Sequence, residues 1–115
     1  MLTLIKIGPI SLSPKTISMS YYFIAHIKIN DDVEYQKYID QAGSIFKKYR
    51  GEYISIDNAP VVLEGKWDYT RTVLIKFESK HEFDRWYNSE EYREILVHRL
   101  KAADCDTVLV KSIEK

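Results

Sequence analysis

The order in which the hydrophobic period switches along this chain most restricts its fold. Residues 21–29 alternate: Tyr21, Phe23, Ala25, Ile27 and Ile29 fall on one face, and Tyr22, Ile24, His26 and Lys28 on the other. That is the period of a strand with one dry face and one mixed face. Over 31–50 the spacing becomes helical, with Tyr35, Tyr38, Ile39, Ala42, Ile45, Phe46 and Tyr49 recurring at i, i+3, i+4 and i+7. Asn30 or Asp31 is placed to cap this helix, and Asp31 with Glu34 has capping-box spacing. Lys47, Lys48 and Arg50 lie at the end where the helix dipole favours positive charge. Gly51 follows as the expected left-handed stop.

The period of two then returns. Residues 52–57 read as a strand, Asp57-Asn58-Ala59-Pro60 as a turn, 61–65 as a short strand and Trp67-Asp68-Tyr69 as a loop. Residues 71–78 form a strong strand with Val73, Ile75 and Phe77 on one face. Ser79 opens a second helix by a capping box to Glu82, with Phe83, Trp86 and Tyr87 as its apolar side. Asn88 or Ser89 restarts a third helix in which Tyr92, Ile95, Leu96 and Leu100 are expected to share a face. Residues 104–114 close the chain as a strand. The order is β-α-β-β-α-β with the second helix split, which is the ferredoxin-like α+β pattern. Its connections put the helices on one face of an antiparallel sheet. The uncovered face, carrying apolar side chains, then calls for a partner. Two such sheets packed face to face make a dimeric α/β barrel, so a homodimer is expected.

Residues 21–115 are read as one domain and 1–20 as an extension. The extension is rich in Ser and Thr, carries Pro9 and Pro14 and has no acidic residue. Its apolar run is broken by Lys6 and Gly8-Pro9, so it does not read as a secretory signal. Two readings remain: a start misplaced ahead of Met19, or an arm in which 2–7 adds an edge strand. Lys+Arg and Asp+Glu number 17 each, which argues against a nucleic-acid binder, because phosphate contacts demand a basic excess. No membrane span is expected, since no run of ~18 apolar residues occurs. A single cysteine, Cys105, fits a reducing cytoplasm and forms no zinc-site spacing.

Several motifs recur in a familiar order: Tyr35-x-x-Tyr38, Lys48-Tyr49-Arg50-Gly51, Val62-Leu63-Glu64-Gly65-x-Trp67, Phe77-Glu78-Ser79, Trp86-Tyr87-x-Ser89-x-Glu91-Tyr92, then Arg99 and Ala102-Ala103. In these, residues 21–113 resemble the family called domain of unknown function thirteen-thirty, of the dimeric α/β-barrel superfamily. The resemblance implies a ferredoxin-like dimer. It leaves the activity open, because that superfamily holds cofactor-independent monooxygenases, isomerases, haem enzymes and simple binders. The family's usual glycine pair after the first helix is here Arg50-Gly51.

Three residues are candidate catalytic groups. Glu64 is a carboxylate able to act as general base or to anchor a ligand hydroxyl; its structural alternative is an ion pair with Arg71 or Arg99. Arg99 interrupts the apolar face of the third helix, and a guanidinium there needs an anion, either Glu64 or an acidic ligand. Tyr87 offers a phenol beside the helix break. Trp86, Ser89, Tyr92, His26 and Trp67 are candidate ligand contacts. Capping accounts for Ser89 without chemistry, and Trp86 also reads as a packing plug. No metal and no bound cofactor are expected. The function implied is binding or conversion of a small acidic or aromatic metabolite without a cofactor; the alternative is a non-catalytic ligand-binding or protein-interaction module whose polar residues are structural.

Overall fold

A computed structural model describes residues 19–113, so the expectations for 1–18 and for 114–115 lie outside the described residues. The elements are β1 (Tyr21–Ile29), α1 (Asp32–Lys47), β2 (Gly51–Asp57), β3 (Arg71–Phe77), α2 (Lys80–Tyr87), α3 (Glu90–Ala102) and β4 (Ala103–Lys111). The four strands form one sheet in the order β2-β3-β1-β4, with every neighbouring pair antiparallel. This is the ferredoxin-like arrangement expected from the switching period.

Local chemistry sets the helix starts. Asp31, Ser79 and Ser89 each have extended backbone and accept a bond from the amide three residues on, at Glu34, Glu82 and Tyr92. The helix stop after α1 differs from expectation. Arg50 takes the left-handed conformation, with φ 61°. Gly51 is needed for space: a Cβ there would lie 2.5 Å from Phe46 Cδ2 and 2.9 Å from Phe77 Cε1.

The face of the sheet under the helices holds the core. Phe23, Ala25 and Ile27 of β1 and Val73, Ile75 and Phe77 of β3 are buried against Tyr35, Ala42, Ile45 and Phe46 of α1 and Phe83, Trp86, Tyr92, Ile95 and Leu96 of α2 and α3. Leu100 does not join them; it is 63 % exposed, and Arg99 takes its place at 3 %. At about 100° per residue, position 99 returns to within about 20° of Tyr92, whereas position 100 stands about 80° away.

The expected strand at 61–65 is absent. Residues 58–70 are irregular; β2 pairs directly with β3, and no ladder joins 61–65 to another strand among the described residues. Pro60 opens this segment, and Val61 and Leu63 are 83 % and 88 % exposed. The β2–β3 register also slips between Tyr53 and Ser55, a bulge of the kind that disfavours pairing at a sheet edge.

Candidate functional site

Two arginines lie in the apolar layer between α1 and the sheet. Arg71 heads the alternation Arg71-Val73-Ile75-Phe77 on the helix side of β3 and is 9 % exposed; Arg99 comes from α3. Arg71 Nη1 donates to Asn58 Oδ1 at 2.8 Å, and Arg99 Nη2 donates a long bond to Tyr92 Oη at 3.5 Å. The guanidinium carbons lie 5.6 Å from the ring centres of Tyr35 and Tyr38 respectively. Each Nε is buried and has no hydrogen-bond partner, and neither arginine enters an ion pair among the described residues. Both line one cavity of ≈ 20 Å³, together with Tyr35, Tyr38 and Tyr53. That is room on the scale of one water molecule.

The surrounding phenols do not neutralise this charge. Burial pushes the Tyr35, Tyr38 and Tyr92 hydroxyls above their ordinary value of 10, so they stay protonated. Tyr38 and Tyr92 share a hydrogen bond of 2.9 Å. Arg99 keeps its positive charge, because a guanidinium does not deprotonate in a folded protein. The result is a cationic cavity walled by neutral hydroxyls and aliphatic carbon.

The sequence candidates separate into three places. Arg99 lines the arginine cavity, and Tyr92 accepts its long bond from outside the lining. Trp86, Tyr87 and Ser89 belong to the helix junction. The Trp86 ring lies 4.1 Å from Tyr92 and 5.2 Å from Phe77, centre to centre. Tyr87 stacks on Phe83 at 5.2 Å, with Arg93 over its ring at 4.8 Å. Ser89 Oγ accepts from Tyr92 N and donates to the Trp86 carbonyl at 2.8 Å. His26, Trp67 and Glu64 lie on the open side of the sheet. His26 packs 4.6 Å from Trp67 and 5.4 Å from Tyr69, whose hydroxyl donates to Asp106. Glu64 is exposed, with Trp67 and Thr72, on a shallow depression under the 58–70 segment. It pairs with neither Arg71 nor Arg99. Among the described residues no cluster of three or more His, Cys, Asp or Glu could hold a metal, and no described helix is long and apolar enough to cross a membrane.

The sequence offers Arg71 only as a partner for Glu64. The signal that places it is its even spacing from Val73, Ile75 and Phe77, which puts it on the dry face. Tyr53 and Asn58 gave no comparable signal, since their positions depend on the bulge and the turn.

The class is that of small α+β proteins with a ferredoxin-like fold. A protein of unknown function from Rhodopseudomonas palustris (RPA0582) superposes with a TM-score of 0.72 at 17 % identity, over 85 % of this chain and 85 % of its own. SnoaB from Streptomyces nogalater, a cofactor-independent oxygenase, gives 0.62 at 9 % identity over 85 % and 97 %. A dabb family protein with a ferredoxin-like fold from Mesorhizobium loti gives 0.57 at 11 % identity over 84 % and 97 %. At these identities the likeness concerns the fold. No curated protein matches the chain. Residues 20–113 match the family described as domain of unknown function (DUF1330), and the chain belongs to that family.

Proposed function

We propose that this protein binds a small anionic molecule in the cavity between α1 and the sheet, through Arg99 and Arg71, and does so as a homodimer. One observation carries the binding reading: two guanidiniums, each more than nine-tenths buried, line a single small cavity with no carboxylate among their partners. A buried cation without a counter-charge costs several kcal/mol, and two in one cavity repel each other. An entering anion relieves both terms, so the site is built for negative charge. Tyr35 and Tyr38 supply neutral hydrogen-bonding and aromatic walls. In this reading binding uses the chain's own side chains and no cofactor. Glu64, His26 and Trp67 fall outside this cavity and are assigned to the pairing face; Trp86, Tyr87 and Ser89 support Tyr92 from behind.

Dimerisation is favoured by the open sheet face. Ile24 stands in register with Leu74 on one side and Val108 on the other, and Tyr22 with Val110. Val108 and Val110 remain 55 % and 39 % exposed, forming an apolar row that a second sheet would cover.

Thermal unfolding in low-salt buffer, with and without millimolar small organic acids, tests the anion reading. The wild type is expected to gain stability from the acid, and Arg99→Met to lose that gain while being no less stable alone, because it removes an uncompensated charge at similar volume. An acid response retained in both Arg99→Met and Arg71→Met would place binding elsewhere.

A further inference from the structure

The segment from Asn58 to Thr70 is fastened to the sheet at both ends but not in its middle. At its start, Asn58 Oδ1 accepts from Arg71 Nη1 and Ala59 N donates to Asp57 Oδ1, both at 2.8 Å. At its end, Thr70 N donates to the Ile27 carbonyl at 2.8 Å, Ile29 N donates to Thr70 Oγ1 at 3.0 Å, and Lys28 pairs with Asp68 at 3.0 Å. Trp67 rests on His26, and Tyr69 donates to Asp106. Between these anchors, Val61 and Leu63 are almost wholly exposed, and Val62 is half-exposed. With Trp67 and Thr72 they enclose a depression of ≈ 310 Å³, so 61–64 stand over the Thr72 end of β3 as an apolar tip.

The remainder of the open face differs from that end. Thr72, His26 and Asp106 stand side by side beneath the segment. Leu74, Ile24 and Val108 form the next row, and Lys76, Tyr22 and Val110 the one after. One face therefore carries a raised apolar tip at one end and an uncovered apolar row beyond it. A surface that pairs with its own copy must complement itself, and two such faces cannot close with tip against tip. A two-fold axis lying across the strands avoids that clash. It reverses strand direction between the copies, so each tip passes over the Lys76 end of the other's β3. The charges agree with this orientation. Glu64 sits on the tip and Lys76 at the far end, with Glu52 opposite Lys76 on β2. Neither Glu64 nor Lys76 enters an ion pair among the described residues.

We infer that residues 61–64 are a pairing arm for a second copy of this chain, laid across a two-fold axis. Val61 and Leu63 cover the partner's Ile24 and the partner's Val108, and Glu64 meets the partner's Lys76. This rests on the homodimer reading above and adds the orientation of the two copies and the residues that set it.

Sedimentation equilibrium of the full chain in low-salt buffer tests it, low salt leaving charge pairs unscreened. The wild type is expected to be a dimer. Val61→Ser with Leu63→Ser is expected to raise the dimer dissociation constant at least about tenfold, the scale of losing apolar anchors from an interface. Glu64→Lys and Lys76→Glu are each expected to weaken the dimer several-fold and together to restore it, because the swap reverses both members of one pair. In the wild type, carbodiimide coupling of a dimer mixed from isotopically light and heavy chains is expected to join Glu64 of one copy to Lys76 of the other. Tip variants that dimerise as tightly as the wild type would overturn the inference and leave the homodimer reading standing. A wild type that stays monomeric would overturn both. A swapped double variant weaker than either single one, or a coupled wild-type dimer lacking the Glu64–Lys76 pair, would overturn the orientation; the coupling needs no variant to fold.

Discussion

The two faces of the sheet are finished to different degrees. On the helix side, Phe23, Ile75 and Phe77 are at most 4 % exposed and the aromatic rings of α2 and α3 close over them. The polar atoms left without partners there are concentrated at the two arginines and at Trp86 Nε1. On the open side, Val108 and Val110 face outward, and His26 Nδ1 and Thr72 Oγ1 are buried beneath the 58–70 segment without partners. A packed face with a local cationic defect differs in kind from a mixed face crossed by an apolar row. The first suits a small ion entering a finished core, and the second suits a second sheet. Neighbouring positions along one strand therefore serve different ends: Ala25 lines the arginine cavity, while Ile24 and His26 belong to the opposite surface.

The comparison is broken most forcefully from the packed side. Trp86 is 1 % exposed and contacts the rings of Phe23, Phe77, Phe83 and Tyr92. Trp86→Ala is expected to cost about 4 kcal/mol, the loss typical of a large aromatic removed from a core. Chemical denaturation measures it. A cost under about 1 kcal/mol would mean that the helix-side face is no tighter than the open one.

What the sequence disclosed divides along similar lines. Caps at Asp31, Ser79 and Ser89 were legible because each depends on a side chain and an amide three residues apart. The strand faces were legible because alternation is local too. Arg99 could be singled out because it sits in an apolar stripe and cannot be left there unpaired. Its company could not be read, since the approach of Arg71 depends on how α3 and β3 meet across the core. The expected strand at 61–65 failed for a related reason: strand-forming residues make a strand only where the chain runs alongside another strand, and β2 takes the place beside β3. The aromatic run from Trp86 to Tyr92 packs as a junction, tied to the arginines only through the long bond from Arg99 Nη2 to the Tyr92 hydroxyl.

A substitution on the open face sharpens the contrast. Val108 lies beside Ile24 and is 55 % exposed. Val108→Asp is expected to change the stability of the single chain by no more than about 1 kcal/mol, because nothing packs over it within the chain. Its effect falls on association: the wild type should sediment at twice the monomer mass, and the variant at the monomer mass. Identical monomeric behaviour of both would make the open face a solvated surface, and the two-sheet pairing would fall with it.

The smallest expected effect concerns how the helix layer is tied together. Glu34 near the start of α1 meets His98 Nδ1 of α3 at 2.6 Å and Lys37 at 3.1 Å. The bond to His98, and after it the bond to Lys37, holds the Glu34 carboxyl below its ordinary value of 4.5. Glu91 is lowered in the same way by Lys48 and then Tyr49, which joins α3 to the end of α1. A carboxyl whose folded value is depressed stabilises the fold above its unfolded value, and that contribution is lost as pH falls through the folded one. Melting temperature should therefore be insensitive to these groups at neutral pH and begin to fall below about 4.5. In Glu34→Gln and Glu91→Gln the acid limb should be shallower, most of all in the double variant. The open face carries no such tie between helices, so Val108→Asp should leave the shape of that acid limb unchanged. An acid limb of equal slope in the wild type and the double Gln variant would show that the α1–α3 contact is held by packing alone.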